Sequence, residues 1–145
     1  MSFENPDDQA LRRLFEETRT VAVVGLSPKA SRPSHGVARA LQRFGYRIIP
    51  VRPAIGEVLG EPAYATLEEV PKPIDLVDVF RAPEYVDAIV DSCIALRIPA
   101  IWLQEGVVNE AAAARARAAG ITVVMDRCTY KDYVRIFAGA SHKDK

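Results

Sequence analysis

Among 145 residues there are only two cysteines, Cys93 and Cys128, and two histidines, His35 and His142. The cysteines form no Cys-x-x-Cys pair, which excludes a zinc-type ligand set at motif spacing and argues against a disulfide-built secreted scaffold. An excess of one charge is missing too, since 19 Lys and Arg balance 19 Asp and Glu. Domains devoted to the nucleic-acid backbone carry a marked basic excess, so no nucleic-acid partner is expected. The longest apolar runs are strand-sized, and no membrane partner is expected either. Residues Met1 to Asp8 lack the basic start and apolar stretch of a signal peptide, so a cytoplasmic location is the expectation.

What remains is the composition of one soluble globular domain, 49% apolar and 26% charged. Short β-branched runs alternate with helical patterns. Asn5-Pro6-Asp7-Asp8 has helix-start chemistry ahead of Leu11, Leu14 and Phe15. Thr20 to Val24, apolar on both faces and ended by Gly25, predicts a central strand of a parallel sheet. A helix follows through Val37, Ala38, Leu41 and Phe44 to Gly45, then a second strand at Arg47–Val51. Gly56 to Pro73, rich in Gly, Pro and Glu, predicts a surface connection with one helical turn at Leu67–Glu69. Further strands are expected at Ile74–Phe80, Ala100–Leu103 and Ile121–Met125. The helices between them start near Pro83 and at Asn109, and a last one runs near Tyr130 to Phe137. The fold class predicted is α/β, a single doubly wound domain with a five-stranded parallel sheet in the order 3-2-1-4-5. Residues 1–19 form an N-terminal helical segment packed on the domain, 20–138 the domain itself and 139–145 a polar tail.

In such sheets a ligand lies beyond the carboxyl ends of the strands, so the residues following them matter most. After the first strand come Gly25-Leu26-Ser27-Pro28-Lys29 and then Arg32-Pro33-Ser34-His35. The dinucleotide fingerprint Gly-x-Gly-x-x-Gly is absent, yet the parts suit a phosphate. Gly25 permits a sharp turn, Ser27 offers a hydroxyl, and Lys29 and Arg32 offer positive charge. Ser34 is expected to cap the following helix, whose free N–H groups would face the ligand. The plain alternative is a polar loop with two solvated cations. After the second strand, Val51-Arg52-Pro53 contains no acid to hold an unsubstituted ribose. Arg52 suits a phosphorylated one, as in NADP or coenzyme A. Phe80 and Arg81 follow the third strand, and Gln104 with Glu105 and Gly106 the fourth. Cys128 follows the fifth, as a buried small hydrophobe or as a thiol open to redox chemistry. Cys93 and Trp102 are expected in the core. No catalytic Ser/His/Asp set, carboxylate pair or metal cluster stands out.

With these residues in view, the chain resembles the bacterial family of small stand-alone coenzyme A-binding proteins, of Rossmann-type fold. That family is similar to the nucleotide-binding domain of the succinyl-CoA synthetase α subunit. The resemblance covers roughly Thr20 to Phe137. It rests on five blocks in order: Val24–Lys29 with Arg32-Pro33-Ser34, Gly45–Val51, Val77–Arg81, Trp102–Glu110 and Val124–Cys128. It implies that Gly25, Ser27, Pro28, Lys29 and Arg32 surround a pyrophosphate. It further implies that Val51-Arg52-Pro53 takes the adenosine and its 3′-phosphate, while Phe80, Arg81 and Gln104 flank the pantetheine. The synthetase's phosphohistidine domain and ATP-grasp partner have no counterpart in these residues. The expected function is therefore to bind coenzyme A or an acyl-CoA as a carrier, sensor or accessory subunit. An NADP-dependent reductase and a thiol-regulated protein using Cys128 are the competing readings.

Overall fold

The first helix, α1 (Asp8–Glu17), starts where the side chain of Asp7 accepts a hydrogen bond of 2.9 Å from the Ala10 amide. An N-cap of this kind stabilises by about 1 kcal/mol. Asp7→Ala is expected to lower stability by that amount in urea titration, and an unchanged midpoint would show that the cap contributes nothing. The helix ends before β1 (Thr20–Val24), the first of five parallel strands. The computed structural model describes residues 3–138 and 140–143.

After β1 the chain forms α2 (Pro33–Phe44), closed by Gly45 in a left-handed conformation, φ +108°, and then β2 (Arg47–Val51). A short antiparallel pair follows, β3 (Glu57–Val58) with β4 (Glu61–Pro62). This hairpin lies in the segment read as a plain surface connection. A 3-10 turn then occupies Leu67–Glu69, where a single helical turn is expected. The remaining elements are β5 (Leu76–Val79), α3 (Val86–Ala95), β6 (Ala100–Leu103), α4 (Glu110–Ala118), β7 (Thr122–Met125) and α5 (Thr129–Phe137).

The fold class is as expected, an α/β domain with a five-stranded parallel sheet. The strand order is not. The sheet runs β2-β1-β5-β6-β7, which is 2-1-3-4-5 in strands counted along the chain, and replaces the expected 3-2-1-4-5. The reason lies in which face each crossover covers. Side chains alternate across a strand, so Val21 and Val23 point to one face of the sheet and Ala22 and Val24 to the other. Helix α2 packs on the Val21 face through Ala38 and Leu41. The connection from β2 to β5 instead buries Leu67, Val70 and Ile74 on the Ala22 face. Crossovers are right-handed, so changing face reverses the direction of travel across the sheet. The chain therefore passes back over β1 and lays β5 on its far side.

Helices α3 and α4 stay on the Ala22 face and carry the sheet onward to β7. Helices α1 and α5 close the other face, where Phe15 packs against Trp102, Tyr133 and Phe137 with ring centroids 5.3 to 6.1 Å apart. Trp102 is core, as expected, and its indole N–H donates to the Arg127 carbonyl at 2.8 Å. Within the polar tail, His142 is buried and stacks on Tyr46 with centroids 4.4 Å apart. Among the described residues no helix is long and apolar enough to cross a membrane.

Candidate functional site

Reversal of direction at β1 puts the loops after β1 and β5 on opposite faces, and a crevice opens between their carboxyl ends. Gly25 sits at the floor of this crevice. Its φ is +87°, and a Cβ there would lie 2.5 Å from the Phe80 carbonyl oxygen. Its amide donates to the Val51 carbonyl at 2.9 Å, while the Phe80 amide donates to the Val24 carbonyl at 2.9 Å. Only a residue without a side chain passes between the neighbouring strands in this way.

The loop beyond it is held from inside. Leu26 is buried, and Ser27 makes three contacts. Its amide donates to Ser34 Oγ at 3.0 Å, its hydroxyl accepts from the Lys29 amide at 3.1 Å, and its carbonyl accepts from His35 Nδ1 at 3.0 Å. Ser34 is thus not the helix cap expected from its position. Pro33 takes the first helical position, for which its fixed φ and missing N–H suit it, and Arg32 becomes the cap residue without a side-chain bond. Ser34 falls inside the first turn and braces the loop instead.

Two adjoining cavities occupy the crevice. The larger, about 830 Å³, is lined by Gly25, Ser27, Pro28, Lys29, Arg32, Arg52, Phe80 and Gln104 among the expected residues. The smaller, about 520 Å³, shares Gly25, Arg52 and Phe80 with it and adds Pro53 and Arg81. Of the eleven residues expected at the site, only Val51 stays out. It is paired with Val24 in the sheet and its side chain is buried in the core. Arg81, expected alongside Phe80 and Gln104, faces the smaller cavity with Arg52 and Pro53, its guanidinium 4.0 Å from the centroid of the Tyr85 ring. The residues not foreseen in the larger cavity include Val37, Ile55 and Val107, which give it an apolar wall. Val37 reads in the sequence only as part of the apolar stripe of its helix, and Ile55 and Val107 are lone apolar loop residues without a chemical signature, so nothing in the sequence marked the three as cavity lining.

The electrostatics are one-sided. Lys29, Arg32, Arg52 and Arg81 line the two cavities, and none of them takes part in an ion pair among the described residues. Arg52 is steadied by a bond of 3.3 Å from Nη1 to the Gly25 carbonyl. The one acid in either lining, Glu105, is already paired with Lys131 at 3.1 Å.

Beneath the larger cavity lies a buried polar cluster. Gln104 Nε2 donates to Asp78 Oδ1 at 2.6 Å and to Thr129 Oγ1 at 2.9 Å, and the Thr129 hydroxyl donates to Asp78 Oδ2 at 3.1 Å. Asp78 is fully buried in β5, and burial pushes its carboxyl up to about 7 against the pull of those two bonds. Cys128 lines the same cavity. Burial raises its thiol, opposed by the backbone amides of Lys131 and Tyr130 at the start of α5. Among the described residues no group of three or more His, Cys, Asp or Glu side chains is placed to hold a metal ion.

A family model described as CoA binding domain matches residues 19–133. YneT of Bacillus subtilis is 40% identical over 125 residues, covering 86% of this chain and 93% of that one. A solved structure from Thermus thermophilus is 39% identical and superposes with a TM-score of 0.87 over 91% of this chain and all of the other. An ADP-forming acetate–CoA ligase of Archaeoglobus fulgidus is 29% identical over 83 residues, which are 57% of this chain but only 12% of the ligase.

Proposed function

Because the chain belongs to the CoA-binding domain family, we propose that its crevice binds coenzyme A or an acyl-CoA, with the pyrophosphate over the loop Gly25-Leu26-Ser27-Pro28-Lys29. The observation that carries this reading is the set of four cations, without an ion pair among the described residues, around two cavities in a chain of zero net charge. Lys29 and Arg32 face the pyrophosphate. Arg52 and Arg81, beside Pro53, hold the adenosine end and its 3′-phosphate. The pantetheine runs past Phe80 and Val107 towards Gln104. The role is that of a carrier, sensor or accessory subunit in the cytoplasm. The ligase relative acts on CoA by name, but this chain spans 12% of its length and inherits no reaction from it.

Titration calorimetry with CoA, an acyl-CoA, NADP and NAD tests the assignment. CoA is expected to bind most tightly. Clear heat with NADP and none with CoA would overturn it in favour of the reductase reading that Arg52 alone suggests. A sharper check removes charge. Lys29→Ala and Arg32→Ala are each expected to weaken CoA binding by about 1–3 kcal/mol, the range for charge-assisted hydrogen bonds. Both residues are exposed and make no ion pair among the described residues, so melting temperatures should hardly move. Unchanged affinity in both variants would place the phosphates elsewhere.

A further inference from the structure

We propose that Cys128 exchanges disulfides with the thiol end of the bound ligand, so that the protein stores coenzyme A as a mixed disulfide. This rests on the CoA reading above and adds a covalent step to the same cavity. The first support is the span of the site. The cations Lys29, Arg32 and Arg52 come from the loops after β1 and β2, whereas Gln104 and Cys128 come from the loops after β6 and β7. In the order β2-β1-β5-β6-β7, β7 stands three strand spacings from β1, roughly 15 Å. A ligand with its phosphates at one end of that line presents its far end to the other.

The second support is Gln104. The residue is 4% exposed and lines the cavity. Both protons of its amide nitrogen are committed, to Asp78 and to Thr129. No bond to Oε1 is found among the described residues, and this oxygen keeps some solvent exposure on a residue that lines the cavity. It fits a ligand end that bears a donor, a thiol or an amide N–H. Thr129, which holds Gln104 in place, is the residue next to Cys128, so thiol and acceptor are fixed to one frame.

Cys93 supplies an internal contrast. It lies within α3, fully buried, outside the cavities, and burial pushes its thiol up to about 12. Cys128 instead lines the cavity at the start of α5, where burial also raises its thiol but two backbone amides oppose the rise. The step balances without an external oxidant when the partner is the symmetrical disulfide of coenzyme A. The Cys128 thiolate attacks one ligand sulfur, the protein–ligand S–S bond forms as the ligand's own S–S bond breaks, and the released CoA thiolate takes up the proton that Cys128 gave up.

The experiment is intact-mass spectrometry of the full chain after incubation with CoA disulfide, with peptide mapping of the adduct. One CoA per chain is expected, on Cys128 and not Cys93, released by dithiothreitol and absent from Cys128→Ser. An excess of a CoA analogue lacking the sulfur should slow labelling at least tenfold, and glutathione disulfide should label at least tenfold more slowly. Labelling on Cys93, or labelling that is equally fast with glutathione disulfide and unprotected by the analogue, would overturn the proposal. Calorimetry of the wild type with reduced CoA separates the two readings. Binding without any adduct removes the exchange and leaves the CoA site standing, whereas no binding removes both.

Discussion

Gly25→Ala is expected to destabilise the protein by about 2–6 kcal/mol and to abolish measurable CoA binding. Two costs add. A residue with a side chain at φ +87° is strained, at about 1–3 kcal/mol, and forcing a methyl group into a filled space costs about 1–3 kcal/mol more. The second cost has no cheap escape, because the atom met at 2.5 Å is a backbone oxygen of Phe80 rather than the end of a mobile side chain. Nor can Gly25 itself withdraw. Its amide is bonded to Val51, and the Phe80 amide to Val24, each at 2.9 Å, so any shift breaks the end of the sheet. Relaxation would move the Ser27–Lys29 loop and the Arg52 side chain that bonds the Gly25 carbonyl. Guanidinium unfolding and CoA titration of the same sample read both effects. A variant within about 0.5 kcal/mol of the wild type, the usual range for surface changes, would show that the crevice floor is looser than its geometry.

The contrast between what the sequence revealed and what it hid follows physical lines. Strands such as Thr20–Val24 were legible because an apolar β-branched run ending at glycine has a local cause. The cation loop was legible for a similar reason, since Lys29, Arg32 and Arg52 follow strands whose carboxyl ends form ligand sites in this fold class. Strand order was not legible, because it depends on the sheet face that the β2–β5 connection covers. Leu67, Val70 and Ile74 decide that, but the first two lie in a stretch whose Gly, Pro and Glu content resembles surface, and Ile74 reads as the start of the next strand. Ser34 was misplaced because its neighbour Pro33 is the better first helical residue, and the hydroxyl of a residue one position deeper reaches back to the loop. The partners of Asp78 were hidden too. An acid between Val77 and Val79 signals a buried polar group, but Gln104 and Thr129 lie 26 and 51 residues away and meet it only in the folded sheet.

Asp78 is expected to make stability fall as pH rises from about 4 to about 7, the reverse of ordinary acid denaturation. An unfolded Asp titrates near 3.9, while burial pushes the folded carboxyl up to about 7. Below the lower value both states hold the proton and Asp78 costs nothing. Between the two values the unfolded chain releases its proton and the native state keeps it, so each pH unit removes about 1.4 kcal/mol, on the order of 4 kcal/mol in all. Above the upper value both states are ionised and the loss is complete. Exposed carboxylates such as Asp8, held below its usual range by its bond to Arg135, act in the opposite direction and mask the effect in the wild type alone. The measurement is therefore a difference, the unfolding free energy of the wild type minus that of Asp78→Asn, taken from pH 4 to pH 8. Asn does not titrate, and it can still bond to Gln104 and Thr129 once the Gln104 amide turns over. The difference should slope downwards against the wild type and flatten near pH 7. Parallel curves for the two proteins across that range would show that Asp78 is ionised throughout and that its two hydrogen bonds outweigh its burial.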